Sequence, residues 1–231
     1  MVYHNLLILY GGLQGVNLES MPDFTHPGKI HMVSAMNTTI SLPLVLASTS
    51  PFRKELLQRL GITFTTAAPD VDESPLAGET PDALVRRLSA AKARAIGQSR
   101  KGLIIGSDQV ATTGSDILGK PGTHARAAEQ LRGLSGRLVT FHTGLCLLNS
   151  ITDAAQVDVI PFRVQFRQLD EGQIARYLQA DQPYNCAGSF KSEGLGITLF
   201  EHMDGDDPTA LIGLPLIRLT TMLASAGLVL P

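Results

Sequence analysis

Cysteine is scarce in this chain: two residues, Cys146 and Cys186, occur among 231. They form no CxxC pair and have no paired histidines nearby, which excludes a zinc ribbon or a disulfide framework and leaves both as expected buried small hydrophobes in a reducing cytosol. Long apolar runs are also missing. The early stretch Leu6 to Tyr10 falls far short of the roughly 20 residues a membrane helix needs, and Met1 to Asn5 supplies no basic region for a secretory signal. There is no excess of positive charge, with 19 Lys and Arg against 21 Asp and Glu and a net charge of −2. No overall positive field therefore exists to condense onto nucleic acid, and a small anion has to be held by local groups. The six histidines are dispersed without an HExxH, and no GxSxG occurs, so zinc and serine hydrolase readings lose their usual carriers.

What is present is an ordinary globular composition, 44% hydrophobic and 17% charged, long enough to bury a substantial core. Residues 1–40 show neither helical nor strand periodicity and are expected to be a poorly ordered extension. Met36 stands shortly before the first strand, so that segment fits an upstream translation start, which N-terminal sequencing of the native protein would test. Residues 41–231 form the expected domain. Strands are expected at 44–47, 63–67, 103–107, about 137–149, about 156–167 and 197–203. Helices are expected at 51–60, 81–98, about 124–134, 170–179 and 215–226. Alternation of strand and helix followed by two long strands joined across Asn149 to Ala154 predicts an α/β fold on a mixed sheet. In the second helix Thr80 reads as the cap and Pro81 as the first residue, with Leu84, Leu88, Ala91 and Ala95 facing the core. Lys92 falls at the edge of that stripe, where a snorkelling boundary lysine is the commoner arrangement and a cleft-facing one the alternative.

Three segments can carry chemistry. Ala47 to Arg53 is a strand-to-helix turn with Ser50 as cap and Pro51 opening the helix, a place that suits phosphate; it also fits an ordinary cap with solvated Arg53 and Lys54. The apolar strand Leu103 to Ser107 delivers Asp108 at its carboxyl end, where ligands of open α/β sheets bind, and Gly106 lets another backbone approach. Asp108 can hold a metal or accept a proton from water, or simply start a turn. Asp72 and Glu73 can add oxygen ligands for a hard cation, or be solvated loop acids. Lys120, restrained by Pro121, suits a phosphate or a plain turn. Finally, Ala187 to Gly196 is a glycine-rich approach to the last strand, either a binding loop or a run of turns.

Together ASTSPFRKELL at 47–57, VDE at 71–73, GSDQV at 106–110, GKP at 119–121, AAEQLRGLSG at 127–136 and GSFKSEGLGITLFE at 188–201 resemble the Maf family, from about Leu44 to the C-terminus. The resemblance implies an elongated mixed-sheet α/β fold with a deep cleft, like that of inosine-triphosphate pyrophosphatases. It also implies a cytoplasmic, metal-dependent nucleoside triphosphate pyrophosphatase using Mg²⁺ or Mn²⁺, in a family whose members commonly form homodimers. Carried over residue by residue, the general base falls on Asp108, phosphate-binding cations on Arg53, Lys92 and Lys120, the metal-associated carboxylate on Glu73 beside Asp108, and the family serines on Ser48 and Ser50. Phe52, Gln109 and Glu193 depart from many members, which carry Arg, Thr and Gln there. Those departures resemble the YceF-like subfamily, which prefers 7-methyl-GTP over dTTP and UTP and whose activity fits removal of modified nucleotides before incorporation.

Physical chemistry gives the same preference a rationale. N7 methylation makes guanine cationic, so its ring stacks on an aromatic face such as Phe52. The acidified N1–H and amino group donate well to a carboxylate such as Glu193, and Gln109 is placed to read a further base edge. Two rivals stand beside this reading: a pyrophosphatase of dTTP, UTP or another modified nucleotide, and a non-catalytic nucleotide-binding regulator of cell division. Binding alone does not need a general base, which counts against the second.

Overall fold

The computed structural model describes residues 42–114 and 116–231. The expected extension at 1–40, with Met36, lies outside the described residues. The elements run β1 (Leu44–Ala47), α1 (Pro51–Gln58), β2 (Thr65–Ala67), α2 (Pro81–Gly97), β3 (Leu103–Thr113), β4 (Asp116–Leu118), α3 (His124–Leu134), β5 (Leu138–Asn149), β6 (Ala154–Phe166), α4 (Glu171–Asp181), β7 (Phe200–Asp204), α5 (Pro208–Ile212) and α6 (Leu216–Ser225). The strands form one mixed sheet in the order β2-β1-β3-β5-β6-β7, with β4 paired to β3. β1 is parallel to β2 and β3, and the other pairings are antiparallel. The α/β mixed sheet expected from the sequence is therefore present.

Every residue of β1 is buried, as a parallel strand covered on both faces must be. Alternation along the strands divides the packing. Leu44, Leu46, Leu103, Ile105, Leu145 and Leu147 pack with Leu56 and Leu57 of α1 and Leu219, Met222 and Leu223 of α6. On the other face Val45, Ala47, Ile104, Cys146 and Leu148 pack against Ala93 and Ile96 of α2. Beyond these, β5 and β6 carry a separate cluster around Phe141, Phe162 and Phe166 with α3 and α4.

Three departures from expectation shape the site. β3 continues to Thr113 rather than ending at Ser107, because after its parallel pairing with β1 stops at Ala47 opposite Gly106 it goes on pairing with β5 as far as Thr112 opposite Thr140. Asp108 thus lies inside a strand, just past the end of its neighbour. The buried face of α2 runs through Val85, Ser89, Lys92, Ala93 and Ile96 instead of Ala91 and Ala95. The reason is two glycines: a Cβ on Gly106 would lie 2.1 Å from the Ser89 carbonyl oxygen, and one on Gly144 would lie 2.2 Å from that of Val85. Without those side chains the helix backbone settles onto the sheet and turns Lys92 inward. Lastly, the strand expected from 197 begins at Phe200, after a 3₁₀ turn over Leu195–Leu199.

Candidate active site

The turn from β1 into α1 is shaped by two serines. Ser48 Oγ accepts from the Ser50 amide at 3.1 Å and Ser50 Oγ accepts from the Arg53 amide at 3.3 Å, so each keeps its hydroxyl proton for a ligand. No acidic residue stands in the first turn of α1; its partial positive charge is left for an anion, and Arg53 adds to it. Arg53 Nε donates to the Gly213 carbonyl at 2.8 Å, which fixes the guanidinium plane and leaves its terminal N–H groups to a ligand. Loss of hydration lowers the Arg53 pKa, while Asp108 and Glu73 pull it back up. The group stays charged in any case, so cation and carboxylates act in one field.

At the centre, Lys92 Nζ donates to Asp108 Oδ1 at 2.6 Å and lies 2.6 Å from Glu73 Oε1. Lys92 and Asp108 are 5% and 7% exposed, and Lys92 lines the cleft, which decides between the two arrangements open to it in favour of the cleft-facing one over the snorkelling one. Glu73 is open to solvent. The Lys92 hydrogen bond holds its carboxyl below the usual range, and the charges of Lys92, Lys120 and Arg53 add to that.

Glu73 sits on an irregular segment, which other side chains hold. Asp72, for which an oxygen ligand and a solvated loop acid stood as alternatives, is exposed, accepts from the Ser74 amide at 2.9 Å and forms a local turn. Arg87 of α2 grips Glu79 through Nε and Nη2 at 2.7 and 2.8 Å, and Nη2 also donates to the Ser74 carbonyl at 3.0 Å. α2 therefore places Lys92 against the Glu73 carboxylate and Arg87 against the neighbouring backbone.

These groups line one cleft of about 780 Å³, which takes in Ser48, Ser50, Phe52, Arg53, Glu73, Lys92, Asp108, Gln109, Lys120 and Glu193. A carboxylate inside the sheet and cations from three separate stretches of chain, Arg53, Lys92 and Lys120, converge in it. The family profile described as Maf-like protein matches residues 43–226. The chain belongs to the Maf family. Among its relatives, the 7-methyl-GTP pyrophosphatase of Nitrosococcus oceani is 61% identical over 185 residues, covering 80% of this chain and 93% of that protein. That of Pseudomonas aeruginosa is 56% identical over 189 residues, covering 81% and 98%. Among solved structures, a HAM1 protein from Coxiella burnetii aligns over 80% of this chain and 99% of its own at 19% identity, with a TM-score of 0.48.

The far wall of this Maf cleft differs in detail from the sequence reading. Gln109 Nε2 donates to the Ala210 and Leu211 carbonyls at 2.7 and 3.1 Å and to Thr143 Oγ1 at 3.0 Å. Of its two polar ends only the carbonyl oxygen is left to meet a base, and its amide ties α5 to β5. Cys186 lies half-buried on the cleft wall rather than in the core. Burial pushes its thiol pKa up, as does the nearby Glu193, so it presents a neutral surface. Glu193 itself is exposed, with Ser192 Oγ donating to it at 3.3 Å.

Several site-building residues escaped the sequence reading. Ser107 Oγ donates to the carbonyls of Gly144 and Gly213 at 2.9 Å each, so Gly213 is shared between Ser107 and Arg53. Asp207, 2% exposed, accepts from the Thr209 and Ile217 amides at 3.0 and 2.8 Å and joins α5 to α6. An Asp–Pro pair is a cap-and-start signal, and Asp207-Pro208 could have marked α5. Nothing in the sequence marks Gly144. Among the described residues no helix is long and apolar enough to cross a membrane, and no group of three or more His, Cys, Asp or Glu side chains stands ready to hold a metal alone.

Proposed function

We propose that this chain is a nucleoside triphosphate pyrophosphatase that hydrolyses 7-methyl-GTP to 7-methyl-GMP and pyrophosphate. The observation that carries the reading is the convergence of Arg53, Lys92 and Lys120 on Asp108 and Glu73 in one cleft. Three cations suit a polyanion such as a triphosphate, and binding alone would not require a buried carboxylate among them. The names of relatives 56–61% identical over nearly their whole length supply the substrate.

The residues fit a hard divalent cation such as Mg²⁺ or Mn²⁺. Glu73 and Asp108 point their oxygens at one place, each 2.6 Å from the Lys92 ammonium held there, and Mg²⁺ is commonly held by one or two carboxylates together with substrate phosphates. When bound, such an ion supplies Lewis-acid neutralisation of triphosphate charge. Arg53, Lys92 and Lys120 bind the phosphate oxygens and balance the charge that builds between α and β phosphates. Ser48 and Ser50 donate hydroxyl protons at the helix N-terminus. Asp108 orients the attacking water and accepts its proton, Lys92 holding one carboxylate oxygen so that the other faces the ligand.

At the base end, Phe52 offers an aromatic face to the cationic methylated ring and Glu193 accepts from its N1–H and amino group. A homodimer in the cytoplasm completes the picture that the family implies. Pyrophosphate release from canonical and methylated triphosphates, with and without EDTA, tests the proposal. The expected result is EDTA-sensitive release, fastest from 7-methyl-GTP; equal rates on dTTP or UTP would overturn the substrate, and no release from any triphosphate would overturn the activity.

A further inference from the structure

The motif at 127–136 lies on α3 as far as Leu134, and α3 lines none of the cleft. Ala127, Leu131 and Leu134 bury its inner face. Gln130, beside that stripe, reaches toward two segments that do line the cleft. Its Nε2 donates at 3.1 Å to the carbonyl of Gly119, the residue before Lys120. Its Oε1 accepts from the hydroxyl of Ser189, which opens the loop leading to Glu193. The residue type is dictated by the partners: a backbone carbonyl can only accept, so the NH₂ must face Gly119 and the oxygen must face Ser189. Glutamate would offer the Gly119 carbonyl another acceptor, and lysine would offer Ser189 no acceptor.

Both ends of this bridge are otherwise anchored to each other. The Gly122 amide donates to the Tyr184 carbonyl at 2.9 Å, and His124 Nδ1 lies 3.0 Å from the Tyr184 hydroxyl. On the far side, Ser189 is fully buried with φ of +60°, next to Gly188 at +77°. A serine adopts that left-handed backbone at a cost that the surroundings must offset. Two contacts offset it. The Gln130 bond holds the hydroxyl, and the next residue, Phe190, packs edge-on to Phe141, Phe166 and Phe200 with ring centroids 5.3, 5.6 and 4.8 Å apart.

We propose that Gln130 is a positioning residue that sets the spacing between the phosphate-binding lysine and the base-binding loop, and so contributes to the choice of base without touching the substrate. The assignment of Lys120 to phosphate and Glu193 to the base rests on the function proposed above. The amide joins the two segments at Gly119 and Ser189, beyond the contacts at Tyr184, so loosening either of its ends disturbs both walls there. Lys120 then meets the triphosphate less well, and Glu193 no longer meets N1–H and the amino group of the methylated base at the right distance.

Two measurements test this. Hydrogen exchange on intact wild type, Gln130→Leu and Ser189→Ala reports the coupling without any substrate. Ser189→Ala is expected to speed exchange of the Gly122 amide, which donates to the Tyr184 carbonyl, and Gln130→Leu that of both segments; faster exchange confined to the mutated segment overturns the proposal. Steady-state kinetics on 7-methyl-GTP and GTP report its consequence. Each variant is expected to raise KM for 7-methyl-GTP about five- to tenfold with a smaller change in kcat, in line with one lost hydrogen bond, and to narrow the preference for the methylated base. The double variant should be no worse than Gln130→Leu alone, and Gln130→Glu should fail like Gln130→Leu. Additive losses, or variants that lose thermal stability while KM and preference stay at wild-type values, overturn it. If exchange is coupled but wild type releases no pyrophosphate from 7-methyl-GTP, the bridge stands and the proposed function falls.

Discussion

Gly144 stands directly opposite Asp108 in the pairing of β3 with β5, and the place its side chain would take is filled by the Val85 carbonyl oxygen of α2, 2.2 Å from an ideal Cβ. The contact sets how far Lys92 can reach. One strand position without a side chain lets the helix sit on the sheet, and the helix then brings its lysine to the carboxylate across from that position.

Gly144→Ala is therefore expected to lift α2 and part Lys92 from Asp108. Overpacking of this kind costs about 1–3 kcal/mol, and small displacements of catalytic groups lower rates by roughly 10²-fold. Urea titration and pyrophosphate release on the same preparation check both. Gly133→Ala is the contrast, since an added Cβ at this position in α3 meets nothing within 4 Å. It should stabilise by about 0.5–1 kcal/mol with unchanged turnover. A Gly144→Ala variant as active as Gly133→Ala would mean that the helix spacing is irrelevant to catalysis.

Asp108→Asn and Lys92→Met should separate catalysis from stability. Asp108→Asn leaves Lys92 its contact with Glu73, so the fold holds while kcat drops by roughly 10²–10⁴-fold, the usual contribution of a general base. Lys92→Met strands the buried Asp108 carboxylate and is expected to cost about 3–5 kcal/mol, as breaking a buried pair does. Comparing denaturation midpoints with kcat for the two variants decides the roles. Wild-type turnover by Asp108→Asn would place the base elsewhere.

How far this was legible in the sequence depends on whether a residue's partner is local. Thr80-Pro81 marked the start of α2 because cap and first turn are neighbours in sequence, and Thr80 Oγ1 does accept from the Ala83 amide at 3.2 Å. Gly106 was read correctly as a point of close approach. The rotation of α2, and with it the burial of Lys92, depends also on Gly144, a residue 52 positions away on another strand. No helical periodicity can report that. By residue type alone Asp72 and Glu73 looked equivalent, and only the family resemblance singled out Glu73; the Asp72 oxygen closes a turn on Ser74 while Glu73, with a longer side chain, reaches Lys92. Gln109 was assigned to a base because its type fits one; the carbonyls of α5 that engage it belong to a helix the sequence reading had not placed.

Glu193→Gln tests the base assignment. Glutamine keeps the size and one acceptor but removes the charge that favours a cationic ring and its acidified N1–H. kcat/KM should fall more for 7-methyl-GTP than for GTP, by about tenfold for a charge-assisted bond replaced by a neutral one. Thermal stability should stay near wild type, because Glu193 is exposed and accepts from the hydroxyl of its neighbour Ser192. Equal losses on both substrates would remove Glu193 from base selection.

The support of Glu73 predicts an acid-side signature. Glu79, gripped by Arg87 and accepting from the Leu76 amide, has its pKa lowered from 4.5 to about 2. A carboxylate whose pKa falls on folding contributes stability that is fully present above its ordinary pKa and is lost as pH drops through its folded value. The advantage of wild type over Glu79→Gln should thus be complete above about pH 5, shrink as pH falls, and vanish near pH 2, read from urea midpoints across that range. At neutral pH the same variant frees the Ser74 backbone from its clamp, so kcat should fall in step with that of Glu73→Gln, and the double variant should be no slower than Glu73→Gln alone. A stability gap that stays constant down to pH 2 would show that Glu79 acts through packing instead of charge, and an additive double variant would show that Arg87 and Glu79 do not work by holding Glu73.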